Sequence, residues 1–305
     1  MKKITINAND AGQRVDKFLQ KYFRSALPSS LIYKYIRKKR IKLNGGRCYP
    51  EQFLAEADIM ELYINDEFFT AERKSAALSA KADFDVVYED KNIILINKKA
   101  GVTVHKADSE KGVTLAEQVL GYLIQKGEYS PDKENTFTPA LCNRLDRNTT
   151  GMVVAAKNAA ALRDMNSIIK NRRVKKTYLA LCEGVFEQKS EVITGYLSKD
   201  GASNKVCVAA RAQDGAREII TAYTVLEQHE DTALVEVELV TGRTHQIRAH
   251  LAYIGHPIAG DKKYGAKNSS YSHHQLHSFG MEFADDLADT VFGYLEGKKF
   301  TCDKL

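Results

Sequence analysis

The chain has 305 residues, enough for about two domains at roughly 100–200 residues each. Its hydrophobic share is 44%, and no apolar run approaches the ~20 residues of a membrane span, which argues against an integral membrane protein. The charge is lopsided: residues 1–75 carry 15 Lys/Arg against 9 Asp/Glu, whereas residues 76–305 carry 30 of each.

Between Lys17 and Pro50 there are ten basic residues and no acidic one, a one-sided run that points to a polyanion, most simply nucleic acid. The alternative, a solvated Lys/Arg face, becomes hard to maintain over 34 residues without an acid. Met1 to Asn7 lacks the apolar core of a signal peptide, so a cytoplasmic protein without membrane attachment is expected. The five cysteines, at 48, 142, 182, 207 and 302, form no CxxC pair and support neither a disulfide framework nor a zinc knuckle.

In chain order, residues 12–23 read as an amphipathic helix, with Val15, Phe18, Leu19, Tyr22 and Phe23 on one face. Ser29 or Ser30 is expected to cap a second helix that buries Leu31, Ile32, Tyr35 and Ile36. Asn44-Gly45 then marks a tight hairpin, and Ile59 to Ile64 a closing strand. Two short helices and a hairpin with a basic second helix resemble the RNA-binding domain shared by a small-subunit ribosomal protein, some tRNA synthetases and many RNA-modifying enzymes. The resemblance covers about residues 12–65 and implies RNA-backbone contacts by Lys34, Arg37, Lys38, Lys39, Arg40 and Lys42. Residues 1–70 are therefore expected to form an RNA-binding unit, and the small, polar residues 71–82 a linker.

The larger part, residues 83–297, opens with strands at Val86–Tyr88 and Ile93–Ile96 around a turn. Thr114 and Glu117 form a capping box before a helix from Leu115 to Lys126, and Asn158 can cap another. Strands are expected at 174–182, 218–227 and 232–241, the last alternating apolar and acidic residues as an antiparallel sheet with a polar face would. With no βαβ rhythm, the class is α+β: a mixed, largely antiparallel sheet with flanking helices. Residues 298–305 read as a tail, and neither GxGxxG nor a P-loop is present.

Three segments carry chemistry. In the first, Arg144-Leu145-Asp146-Arg147 with Thr149-Thr150-Gly151, a carboxylate lies between two guanidinium groups, which favour its charged form as a nucleophile or base. The second runs from Val174 through Lys176 and Tyr178 to Ala180; the third is Thr241-Gly242-Arg243-Thr244-His245-Gln246-Ile247-Arg248, continuing to Gly260-Asp261. In this order and spacing they resemble the RluA-type pseudouridine synthases over roughly residues 83–284, and the stretch Leu27–Lys34 resembles the branch acting on large-subunit ribosomal RNA.

The resemblance implies an isomerase that needs no cofactor or metal, with Asp146 as the catalytic carboxylate, Arg243 as its guanidinium partner and Tyr178 stacking on the extruded base. It further implies Lys176 on substrate phosphate and Arg144 entering the helix that the base vacates. Arg248 lies off the apolar stripe of Ile247, Leu251 and Ile254, so a structural or RNA-backbone contact is expected of it, in a helix capped by Thr244. The expected partner is RNA, 23S ribosomal RNA or the assembling large subunit, bound by a monomer. The rival readings are a synthase acting on tRNA, a non-catalytic assembly factor, and an RNA hydrolase using the histidines at 245, 250, 256, 273, 274 and 277. One departure from the family pattern is Asn143, where His is common.

Overall fold

The computed structural model describes residues 1–69, 80–106, 112–199, 205–212, 214–267 and 270–303. Most of the expected linker, residues 71–79, lies outside the described residues, and Ala80, where description resumes, is buried.

The N-terminal unit comprises β1 (Lys2–Thr5), α1 (Val15–Phe23), α2 (Ser29–Arg37), β2 (Ile41–Leu43), β3 (Gly46–Arg47) and β4 (Ile59–Leu62). Its strands form an antiparallel sheet in the order β1-β4-β2-β3. Asn44 and Gly45 both have positive φ, the conformation that a two-residue hairpin turn requires and that Asn-Gly supplies cheaply. Val15, Phe18, Leu19 and Phe23 of α1 pack with Ile32 and Ile36 of α2 over the sheet. The second helix starts at Ser29 itself; Pro28 takes the N-cap position and neither serine caps by its side chain.

The rest of the chain contributes β5 (Phe84–Glu89), β6 (Ile93–Lys98), α3 (Leu115–Gln125), β7 (Ala140–Leu141), β8 (Thr150–Ala156) and α4 (Ala159–Lys170). It continues with β9 (Val174–Glu183), β10 (Ser190–Lys199), β11 (Val206–Ala209), β12 (Arg217–Gln228), β13 (Thr232–Leu239), α5 (Gln246–Tyr253), β14 (Leu276–Phe283) and β15 (Lys299–Thr301). The strands form one sheet in the order β11-β10-β12-β13-β9-β14-β8-β6-β5, with β15 added to β14 and β7 to β8. All described pairings are antiparallel except β14 with β8, so the fold is mixed α/β around a large, mostly antiparallel sheet.

Both faces of the sheet centre are covered. Ile94 and Ile96 point into a core with α3 and α5, and Ile93 and Leu95 into a second core with α4 and the C-terminal segment. All four are fully buried, each contributing roughly 1.5–3 kcal/mol relative to exposure. Thr114 and Glu117 complete the capping box of α3, and Asn158 accepts from the Ala161 amide to cap α4. The supposed tail is part of this architecture: Lys299–Thr301 pairs with Gly280–Glu282, and Cys302 is buried.

The two units meet through a polar seam. Asn7 and Asn9 each donate to the Glu134 carboxylate, and Asn9 Oδ1 accepts from the Ala159 amide at the start of α4. Asn135 donates to Asp10 and to the Thr5 carbonyl, while Thr136 joins Asp10 and Gln13. Asp10 is fully buried there.

Candidate active site

The loop 142–149 between β7 and β8 holds the first motif against the sheet. Asn143 stands where the resemblance leads one to expect His. It is buried, donates to the Met152 carbonyl at 3.2 Å and accepts from the Val154 amide at 2.8 Å, so it clamps the loop to β8. Gly151, the second residue of β8, has φ 102°, and a Cβ there would lie 2.3 Å from the Ser278 carbonyl oxygen of β14. Only glycine permits both that conformation and that approach.

Lys98, at the end of β6, is fully buried. Its ammonium donates to the carbonyls of Lys99, Val102 and Arg147, each at 2.9 Å, and ties the 98–102 turn to the catalytic-motif loop. Burial pushes its pKa down to about 8, while the field of Asp146 works the other way. Sequence reasoning misses Lys98, because the pair Lys98-Lys99 at a strand end looks like a surface pair.

Asp146 opens onto a cleft of about 840 Å³, whose walls also include Arg144, Lys176, Tyr178, Arg243 and Arg248. The side chains expected from the three motifs thus share one cavity. The carboxylate's partner differs from expectation. Arg248 Nη1 donates to Asp146 Oδ2 at 2.8 Å, whereas Arg243 has no ion pair to Asp146 and stands exposed on the cleft wall. The expectation that Arg248 serves as an RNA-backbone contact is corrected with it: Arg248 is 7% exposed and directed inward.

The physical reason lies thirteen positions downstream. Asp261, 2% exposed, takes both Nε and Nη2 of Arg248, at 2.7 and 2.9 Å, and leaves Nη1 aimed at Asp146. Burial works against the guanidinium's charge, but its bonds to Asp261 and Asp146 outweigh that and raise its pKa. Such a fork–fork pair fixes orientation as well as charge. Asp261 follows Gly260, where φ is 78° and a Cβ would collide with the His273 carbonyl, so the turn delivering Asp261 depends on glycine.

The cap of α5 also differs from expectation. The helix begins at Gln246, and its N-cap position is His245, in left-handed conformation (φ 55°, ψ 18°); Thr244 lies outside. Gln246 is buried, and its Oε1 accepts from the Arg243 amide and the Thr241 hydroxyl, which closes the turn. Ile247 and Leu251 are buried and Ile254 packs against the same core.

Tyr178 projects from β9 on the face shared with Ala180 and Cys182 and packs in the main core. Burial pushes its phenol up to about 12; hydrogen bonding with Ser278 lowers it and the field of Asp146 raises it further. It is therefore a neutral phenol at physiological pH. Lys176 is half-buried on the cleft wall, and burial lowers its pKa. Arg144 is exposed at the rim.

The histidines disperse. His250 bonds the Thr221 hydroxyl, His256 stacks on Phe186, and His274 and His277 bond Thr149 and Thr150. Among the described residues no group of three or more His, Cys, Asp or Glu side chains could hold a metal ion. In the N-terminal unit, Lys34, Arg37, Lys38, Lys39 and Arg40 are exposed, and no ion pair to them occurs among the described residues. Arg40 and Lys42 lie over the rings of Tyr35 and Tyr63, at 5.5 and 5.3 Å.

A carboxylate held by a guanidinium thus lines a cleft of about 840 Å³ on a mixed, largely antiparallel sheet. The RNA pseudouridylate synthase family matches over residues 92–253, and the chain belongs to it. A relative in Pasteurella multocida (strain Pm70), named ribosomal large subunit pseudouridine synthase C, is 32% identical over 93% of this chain and 86% of its own length. The protein of that name in Escherichia coli (strain K12) is 33% identical over 87% of this chain and 80% of its own. The fold matches that of human RNA pseudouridylate synthase domain containing 1 with a TM-score of 0.59 at 24% identity, over 73% of this chain and 84% of that one. No described helix is long and apolar enough to cross a membrane.

Proposed function

We propose that this chain isomerises uridines of large-subunit ribosomal RNA to pseudouridine, with Asp146 as the catalytic carboxylate. The observation that carries the reading is the Arg248-held carboxylate of Asp146 in one cleft with Tyr178. The names of the relatives support ribosomal RNA as the substrate class.

The reaction breaks the N1–C1′ bond, turns the uracil and joins C5 to C1′. N1 gains a proton and C5 loses one, so no atom or electron is exchanged with a cofactor. A flipped base costs a few kcal/mol of stacking, which a ring such as Tyr178 offsets. In this reading Asp146 addresses the sugar or base of the extruded nucleotide while Arg248 stabilises its charge. Tyr178, as a neutral phenol, stacks on the uracil and relays the departing proton rather than standing by as a phenolate. Arg144 enters the gap, and Lys176 and Arg243 hold phosphates at the wall.

The N-terminal unit is assigned to RNA binding through Lys34, Arg37, Lys38, Lys39, Arg40 and Lys42, in the manner of the ribosomal-protein-like domain. The exposure of the first five without carboxylate partners among the described residues supports it. The protein is taken to act as a monomer in the cytoplasm.

The test is the replacement Asp146→Asn, which keeps shape and removes charge. Pseudouridine formation on ribosomal RNA is expected to disappear while RNA affinity stays within about twofold. Turnover at the wild-type rate would refute the assignment. Mapping pseudouridines in 23S RNA with and without the gene checks the substrate; an unchanged map with altered tRNA sites would move the reading to tRNA.

A further inference from the structure

Two groups approach Asp146, and both approach the same oxygen. Arg248 Nη1 lies 2.8 Å from Oδ2, and His245 Nε2 lies 3.6 Å from it. Oδ1 has no hydrogen-bond partner among the described residues. His245 is held there in a left-handed backbone conformation that L-residues adopt at a cost of about 1 kcal/mol.

The state of His245 follows from a chain of donors. The Val206 amide at the start of β11 donates to the Tyr264 hydroxyl oxygen at 3.2 Å. That same hydroxyl lies 2.8 Å from His245 Nδ1, and among the described residues it has no other acceptor for its hydrogen. An amide can only donate, so the phenol oxygen accepts from Val206; that leaves the phenol proton to donate, and among the described residues Nδ1 is the acceptor within reach. A neutral imidazole whose Nδ1 accepts must carry its own proton on Nε2, the atom that faces Asp146. Burial lowers the pKa of the ring; Asp146 and Asp261 oppose that, and Arg248 and Lys263 reinforce it. Tyr264 is fixed in turn by the guanidinium of Arg248, 5.1 Å from its ring centre.

We propose that His245, set in its Nε2–H tautomer by Tyr264 and the Val206 amide, is a positioning residue that together with Arg248 engages one oxygen of Asp146 and leaves the other to the substrate. The inference rests on the assignment of Asp146 as the catalytic carboxylate. At 3.6 Å the imidazole is short of a hydrogen bond; the contact closes when substrate displaces solvent from the cleft, as catalytic contacts commonly tighten on binding.

Nitrogen-15 NMR of the full chain labelled at histidine reads the tautomer directly. His245 is expected as Nε2–H at neutral pH, and Tyr264→Phe should convert it to a tautomer mixture. An Nδ1–H signal in the wild type, or no change in Tyr264→Phe, would overturn the proposal. In kinetics, His245→Ala is expected to lower kcat about tenfold with KM within about twofold, and His245→Gln, whose amide can donate from the Nε2 position, to recover most of the loss. Equal losses in Gln and Ala, or a loss confined to KM, would also overturn it. If Asp146→Asn retains turnover, the catalytic assignment itself fails; if that variant is inactive but His245→Ala is unimpaired, only the positioning role fails.

Discussion

His274 is 5% exposed, and its Nε2 lies 2.9 Å from the Thr149 hydroxyl, three residues past Asp146. Burial pushes its pKa down to about 4, with Arg248 and His273 adding to the effect and Asp261 and Asp146 opposing it. Between the ordinary histidine value of about 6.5 and pH 4 the unfolded chain binds a proton that the folded chain refuses. The contribution is therefore present above pH 6.5 and is lost as the pH falls through 4, on the order of 3 kcal/mol for a shift of this size. Urea unfolding at pH 7 and pH 4 is expected to show a smaller acid loss in His274→Asn than in the wild type; equal losses would contradict it. That Asp146, Tyr178, Lys176 and Arg144 line one cleft could be expected from the sequence, because their motifs are local and sit on turns or a period-2 strand. Arg248 is misjudged from sequence for a physical reason. Lying off an apolar stripe says only that a side chain avoids that stripe, and the buried Asp261 that turns it inward comes from another segment. His245 and Tyr264 do not stand out, since their roles follow from a hydrogen-bond chain that closes only in three dimensions.

At the scale of the element, α2 and the turn after it present a row of exposed cations, the feature on which their proposed RNA contact rests. Lys39 sits at positive φ (57°) where the helix ends, and Lys38, Lys39 and Arg40 are all exposed. A cation that neutralises a phosphate releases condensed counterions, so replacing Lys38, Lys39 and Arg40 with Gln should reduce the salt slope of log affinity by about one for each phosphate no longer neutralised. Filter-binding titrations across a range of KCl measure it, and an unchanged slope would remove this turn from the interface. Elements with a strong local signal are legible: the Thr114 box, the Asn158 cap and the Asn44-Gly45 turn each satisfy backbone groups within a few residues. β14 is not announced by periodicity, because His277, Ser278 and Gly280 interrupt its apolar pattern while the strand is buried between β8 and β9. β15 is hidden for the complementary reason. Three residues with exposed Lys299 and Thr301 carry no periodicity, and only the β14 edge makes them a strand. Thr244 is a good capping residue, so sequence alone starts α5 there; nothing local announces that His245 takes the left-handed position.

At the scale of the molecule, the seam between the two units is built from amides, hydroxyls and carboxylates. Glu134 accepts from Asn7 and Asn9, Asp10 bonds Asn135 and Thr136, and Asn9 supplies an acceptor to the first amide of α4. Such hydrogen bonds contribute about 0.5–1.5 kcal/mol each, enough to prefer one orientation yet few enough to open, as interfaces between domains of one chain commonly do. Under the proposed role of α2 in RNA binding, the seam favours one offset between its exposed cations and the cleft at Asp146, and RNA bound to one unit is expected to reach the other in register. The double replacement Asn9→Ala with Glu134→Ala removes the bonds from Asn7 and Asn9 to Glu134 and the acceptor at α4, while Asp10 stays in place. On an RNA long enough to span both units, kcat/KM is expected to fall about tenfold, a loss of about 1.4 kcal/mol in transition-state stabilisation. On a short hairpin that enters only the cleft, kcat/KM should stay within about twofold, and small-angle scattering should report a larger radius of gyration. A loss equal on both RNAs would mean that the seam supports the fold of the catalytic unit rather than the register between the units; no loss on either would mean that the flanking contacts hold the orientation without it.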